Sequence, residues 1–135
     1  MRFEWRETGS GATLFDHEAG ECFKSRHSAG EEAREVFYRP GIAENPWLPK
    51  AEPFRVLELG FGLGTNFLFL AGQGLPLEFV SIERDLAGAR FFFEKEYQPP
   101  LAEILGNGRY EQSGFCARLM EEDFFSALPC LAEAG

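Results

Sequence analysis

Apolar positions follow two rhythms along the chain, and the change between them near residue 50 divides it. Before that point the pattern is irregular. Phe3-Glu4-Trp5-Arg6 and Ala12-Thr13-Leu14-Phe15 flank Gly9-Ser10-Gly11, which predicts a β-hairpin. Glu31 to Tyr38 reads as a short helix or strand stopped by Pro40-Gly41, and Asn45-Pro46-Trp47-Leu48-Pro49 as a loop. From Phe54 the rhythm becomes an alternation of short apolar runs and helical periods. It predicts a strand over 54–59, a helix over 65–72 and a second strand over 77–82. A helix over 86–97 follows, capped by Asp85, with Leu86, Ala89, Phe92, Phe93 and Tyr97 on one side, and Pro99-Pro100 is expected to end it. Arg109 to Leu119 reads as a third, half-buried strand and Asp123 to Ala132 as a last helix. Such β-α-β-α-β-α order implies an α/β fold with a parallel sheet and right-handed crossovers. Residues 1–50 are then a β-containing N-terminal extension, and 51–135 a ligand-binding α/β unit.

The junction between the first strand and its helix is the most informative stretch. Val56-Leu57-Glu58-Leu59 runs into Gly60-Phe61-Gly62-Leu63-Gly64-Thr65-Asn66, an apolar strand, an acid and three glycines at every second position. Glycines there let the chain turn sharply and leave no side chain between backbone and ligand. The dinucleotide fingerprint Gly-x-Gly-x-x-Gly wants glycine where Thr65 stands, so this is a shifted form. A glycine turn alone serves structure as readily as ligand. Glu83 changes that balance: it ends the second strand about 20 positions past the glycines, where an acid accepts hydrogen bonds from ribose hydroxyls. Glu58, at the end of an otherwise apolar strand, is either at a ligand mouth or costly to bury. Asn66 can bond ligand or backbone, and Asp123 can meet an adenine amino group or cap the last helix.

Composition narrows the partners. Hydrophobic content of 44% with fifteen Phe predicts a folded globule whose core includes Phe91-Phe92-Phe93. No apolar run approaches membrane-spanning length, and the N-terminus has no signal-peptide core, so a cytoplasmic protein without membrane association is expected. Cys22, Cys116 and Cys130 form no Cys-x-x-Cys pair and read as reduced, partly buried thiols. His17 and His27 read as non-catalytic, His27-Ser28 as a stretch that could line an entrance, and no metal site is expected. The net charge of −9 opposes simple electrostatic capture of nucleic acid, although Arg2, Arg6, Lys24, Arg26 and Arg34 make the N-terminal part less acidic.

With Glu58 ahead of it, the shifted glycine pattern resembles the first motif of S-adenosylmethionine (SAM)-dependent methyltransferases. Glu58-Leu59-Gly60-Phe61-Gly62-Leu63-Gly64-Thr65-Asn66-Phe67-Leu68 is more specifically similar to the Glu-x-Gly-Phe-Gly-x-Gly-x-Asn-Phe-Leu signature of MnmC-type tRNA methyltransferase domains. Phe79-Val80-Ser81-Ile82-Glu83-Arg84 is similar to that family's second strand. Upstream, Phe15-Asp16 through His27-Ser28 and Glu35-Val36-Phe37 resembles its N-terminal segment. The resemblance covers about 13–128 and is sharp over 54–84. It implies a Rossmann-like class I methyltransferase fold, a parallel sheet with helices on both faces. It also implies methyl transfer from SAM to 5-aminomethyl-2-thiouridine at the tRNA wobble position. Carried over, Glu58, Gly60, Gly62, Gly64, Asn66 and Glu83 would hold SAM, and Asp123 its adenine. The family's Asp-Ala-Phe-type strand end and Pro/Asn-Pro/Trp loop have no match, nor has its flavin-dependent oxidase domain. The expectation is therefore a fold truncated after the third strand, with catalytic residues unknown and self-association through an exposed sheet edge. Alternatives are a non-catalytic SAM- or nucleotide-binding module and a nicotinamide-dependent oxidoreductase, the latter disfavoured by Thr65.

Overall fold

A computed structural model of the chain describes residues 1–8, 11–23, 31–46 and 54–134. The glycine-serine turn at 9–10, His27-Ser28, and most of the proline loop from Trp47 on lie outside the described residues. The expected hairpin forms: β1 (Phe3–Thr8) pairs antiparallel with β2 (Gly11–Asp16), and a short β3 (Glu21–Cys22) joins the latter. The segment 31–38 is helical and does not stop at Pro40: helix α1 (Ala33–Ala43) is wound with the wider π spacing, its end closed by the Glu44 N–H on the Arg39 carbonyl at 2.8 Å.

The second sheet runs β4 (Phe54–Leu59), β5 (Leu77–Glu83), β7 (Phe115–Glu121) and β6 (Arg109–Gln112) in that spatial order. The first three are parallel and β6 is antiparallel. Between β4 and β5 lies α2 (Thr65–Ala71), and α5 (Phe124–Ala134) follows β7. The protein is thus a mixed α/β structure built on a four-stranded, mostly parallel sheet.

Two further elements differ from the sequence pattern. The run read as one strand from Arg109 to Leu119 folds back on itself at Ser113 and Gly114, both at positive φ, with Gln112 opposite Phe115. Paired positive-φ residues give the tight turn whose twist matches antiparallel strands. The second difference is at Pro99-Pro100, which ends helix α3 (Ala87–Lys95) but also begins α4 (Pro99–Asn107). Proline lacks an N–H, and the first turn of a helix has no partner for one anyway. Helix α4 then buries Leu101, Ile104 and Leu105 and closes on Gly108 in the left-handed conformation.

Strand alternation decides what each face of the sheet meets. Phe79 and Phe115 project to the face covered by α2 and α4, where the fully buried Phe67 ring lies 5.5–6.2 Å from the rings of Tyr110, Phe61, Phe79 and Phe115. Ile82 and Met120 project to the other face, under Ala127 and Leu131 of α5. The N-terminal hairpin joins the first of these cores: Leu14 is fully buried, Trp5 stacks on Phe92 and Phe3 on Phe91. Arg2 pins it further, with Asp16 at 2.9 Å and Asp85 at 2.7 Å. The Arg2 pair holds the Asp16 carboxyl below the usual range; the Asp85 carboxyl is lowered first by the Ala87 N–H that it accepts and then by Arg2. Cys22 and Cys116 are exposed free thiols, not the partly buried ones expected, because both fall on outward positions of their strands.

Candidate functional site

The glycine turn joins the end of β4 to the start of α2, at the carboxyl edge of the sheet. Three backbone contacts shape it. The Gly60 N–H donates to the Ile82 carbonyl at 2.8 Å, which extends the parallel ladder one residue past β4. The Gly62 N–H donates to Glu83 Oε1 at 3.2 Å, and the Gly64 carbonyl receives the Leu68 N–H at 2.9 Å to open the helix. Gly62 and Gly64 both stand at positive φ, +60° and +81°, yet they face different surroundings. A Cβ at Gly62, or at Gly60, would meet nothing within 4 Å. A Cβ at Gly64 would press on Phe61 at 2.9 Å and Leu101 at 3.0 Å. The turn is therefore open on one side and packed on the other.

Its open side borders a cleft of about 700 Å³. Glu58, Gly60, Gly62 and Asn66 line it together, with the apolar wall supplied by Phe37 and Ile42 of α1. Glu58 projects from β4 on the same face as Ser81, its partner in the parallel register. The Ser81 hydroxyl donates to Glu58 Oε1 at 2.6 Å, and the Asn66 amide donates to Oε2 at 2.9 Å. Burial pushes the Glu58 carboxyl above the ordinary range; the two hydrogen bonds oppose that, and the nearby Glu83 charge adds to it. Glu83, one turn of the pleat further on, holds the Gly62 N–H with one oxygen and the Asp85 N–H at 3.2 Å with the other. Each oxygen retains an acceptor site.

The structure thus gathers four of the expected residues on one cleft and ties a fifth, Glu83, to its glycine wall. Gly64 belongs to the core side of the turn. Asp123 is exposed and does not line this cleft; its carboxylate accepts the Phe125 N–H at 2.8 Å at the start of α5. Asn66 bonds Glu58, neither of the two partners that its position suggested. Two residues escaped the sequence reading. Ser81 was the readable one, a hydroxyl inside an apolar strand. Glu121 ends β7 and accepts the Leu86 N–H at 3.0 Å, tying that strand end to the approach of α3. His17 bonds Glu4 at 2.9 Å on the hairpin surface, away from the cleft.

The chain is a mixed α/β protein with a mostly parallel sheet, in which a glycine turn and the Glu58 carboxylate border an open cleft. Its likenesses are specific. The chain is 40% identical over 96 residues to the tRNA 5-methylaminomethyl-2-thiouridine biosynthesis bifunctional protein MnmC of Polaromonas naphthalenivorans, which is 65% of this chain and 15% of that protein. It is 36% identical over 89 residues to the protein of the same name from Methylobacillus flagellatus, 60% of this chain and 13% of that protein. Among solved structures it matches MNMC2 from Aquifex aeolicus with a TM-score of 0.63, over 94% of this chain and 45% of that one, at 24% identity, so that likeness is one of fold. No family profile matches the chain. The resemblance to MnmC read from residues 54–84 is thus found again in both sequence and fold, while the chain spans only 11–15% of the length of the curated relatives.

Proposed function

We propose that this chain is the cofactor-binding part of a SAM-dependent, Rossmann-like class I methyltransferase acting on tRNA. On this reading the methyl acceptor is the aminomethyl group of 5-aminomethyl-2-thiouridine at the wobble position, and the protein works in the cytoplasm. The observation that carries the reading is the open space over Gly60 and Gly62 beside the Glu58 carboxylate, with the Glu83 carboxylate tied to the Gly62 N–H. SAM fits such a donor set: it carries a cationic sulfonium, an ammonium and two ribose hydroxyls, and it supplies an electrophilic methyl group. Glu58 and Asn66 would meet its charged end, the glycine backbone would pass close beneath it, and Glu83 would accept the ribose hydroxyls. Asp123 is assigned to the adenine, through the acceptor sites that helix capping leaves unused. The relatives' names support tRNA as the substrate. Charge does not add to that support, since Arg2 is committed to Asp16 and Asp85, and Arg6 lies over the Phe15 ring. Residues 1–50 serve as an extension and 51–135 as the cofactor unit.

Strand β4 pairs on one side only among the described residues, and Leu57 and Leu59 on its outer face are 49% and 55% exposed. An apolar edge of this kind invites pairing with another chain, so the same reading includes self-association. Isothermal titration with S-adenosylhomocysteine, SAM and NAD tests the cofactor assignment. Binding of the first two and not the third is expected. Glu83→Ala should weaken binding by about 1.5–3 kcal/mol, the value of hydrogen bonds to a charged group. Unchanged affinity in that variant, or preference for NAD, would refute the assignment.

A further inference from the structure

Ser81 is fully buried in the middle of the cofactor-side face of β5, next to Leu77 and Phe79 on the same face. A hydroxyl in such a place is costly unless it is bonded. Its only sequence-visible feature is polarity in an apolar strand; its partner is decided by register. Parallel pairing sets Ser81 beside Glu58, and the 2.6 Å bond from its Oγ–H reaches Oε1 across the two strands. Asn66, from the first turn of α2, holds Oε2 from the other side at 2.9 Å. The carboxylate is therefore gripped between sheet and helix. A carboxylate offers about four acceptor sites, and these two bonds occupy one on each oxygen. Glu58 lines the cleft, so the remaining sites are those a ligand can use.

We infer that Ser81 is a positioning residue of the ligand site, fixing the Glu58 carboxylate on the cleft wall so that its free acceptor sites receive a cationic group of the ligand. For the identity of that ligand the inference rests on the SAM reading; for the carboxylate it stands on geometry alone. The hydroxyl also favours the ionised form of a group that burial disfavours. The other charge acting on Glu58 is Glu83 at the end of β5, which opposes ionisation. Glu32 and Arg55 also line the cleft, Arg55 from the opposite face of β4, where it pairs with Glu78 at 2.9 Å. Loss of the Ser81 hydroxyl should therefore move the Glu58 titration upward, an effect that a merely space-filling serine would not have.

The test is a carbon-detected NMR titration of the Glu58 carboxyl in the full chain, for wild type, Ser81→Ala and Ser81→Cys, with S-adenosylhomocysteine calorimetry across the same pH range. In Ser81→Ala the Glu58 midpoint should rise, and affinity near neutral pH should fall roughly tenfold, as expected for one hydrogen bond to a charged group. The pH below which binding is lost should rise with the midpoint. Ser81→Cys, whose thiol is a weak donor, should shift the midpoint the same way and serves where the alanine variant does not fold. An unchanged Glu58 midpoint in a folded variant would overturn the positioning role. A raised midpoint in a protein whose wild type binds no S-adenosylhomocysteine would uphold that role and overturn the SAM reading.

Discussion

Gly62 and Gly64 are two residues apart in one motif, and the structure gives their alanine variants different consequences. Both stand at positive φ, where an L side chain costs about 1–2 kcal/mol. At Gly62 nothing lies within 4 Å of the added Cβ, so Gly62→Ala should lose about that much stability and no more. At Gly64 the Cβ would come within 2.9 Å of Phe61, which is 3% exposed, and 3.0 Å of the fully buried Leu101. Neither can swing into solvent. Overpacking of a filled core adds about 1–3 kcal/mol, so Gly64→Ala should lose roughly 2–5 kcal/mol in all. That is a large share of the 5–15 kcal/mol typical of a domain. Ligand binding should divide the other way. Gly62→Ala should remain folded and bind S-adenosylhomocysteine much more weakly, because its methyl enters the cleft. Gly64→Ala, wherever it is still folded, should bind nearly as wild type. Urea unfolding followed by circular dichroism measures the first effect and calorimetry at low temperature the second. Equal stability of the two variants would refute the packing argument, and wild-type affinity in Gly62→Ala would refute the ligand argument.

The Glu58 carboxyl has a folded pKa above its unfolded value because burial penalises its charge. Its contribution to stability is then fully present below the unfolded pKa and is lost as pH rises through the folded one. Glu58→Gln lacks that slope, so it should gain on the wild type as pH rises through this interval while losing ligand affinity; urea midpoints of both proteins over the range check it. Phe67→Ala removes the ring on which four other aromatic rings converge and should cost about 3–5 kcal/mol in the same unfolding assay. Leu57→Lys places a charge on the exposed face of β4 and should reduce self-association in light scattering without lowering stability by more than about 0.5 kcal/mol.

Local pattern was enough for the parts of this protein whose conformation is a local matter. Strand β4 was legible to the residue, because an apolar run bounded by glycine has one good backbone solution. So were α2 and β5 to within a residue, the Asp85 carboxylate accepting the Ala87 N–H, and the acidic strand ends at Glu58, which lines the cleft, and Glu83, which holds its glycine wall. The turn at Ser113-Gly114 and the helix begun by Pro99 were present as residues but outweighed by stronger neighbouring signals, an unbroken strand-like run in one case and a double-proline stop in the other. What no local pattern contains is which atoms from distant segments share a space. The register of β4 on β5 sets Ser81 on Glu58, and the fold of α1 across the sheet supplies the cleft's apolar wall. Phe61 and Leu101, far apart in the chain, close one side of the glycine turn and leave the other open. The sequence determined where the chain turns and where its carboxylates stand, since backbone preference acts over a few residues. Tertiary packing alone decided which glycine faces the open cleft and which carboxylate is gripped, since both depend on contacts that form only when distant segments meet.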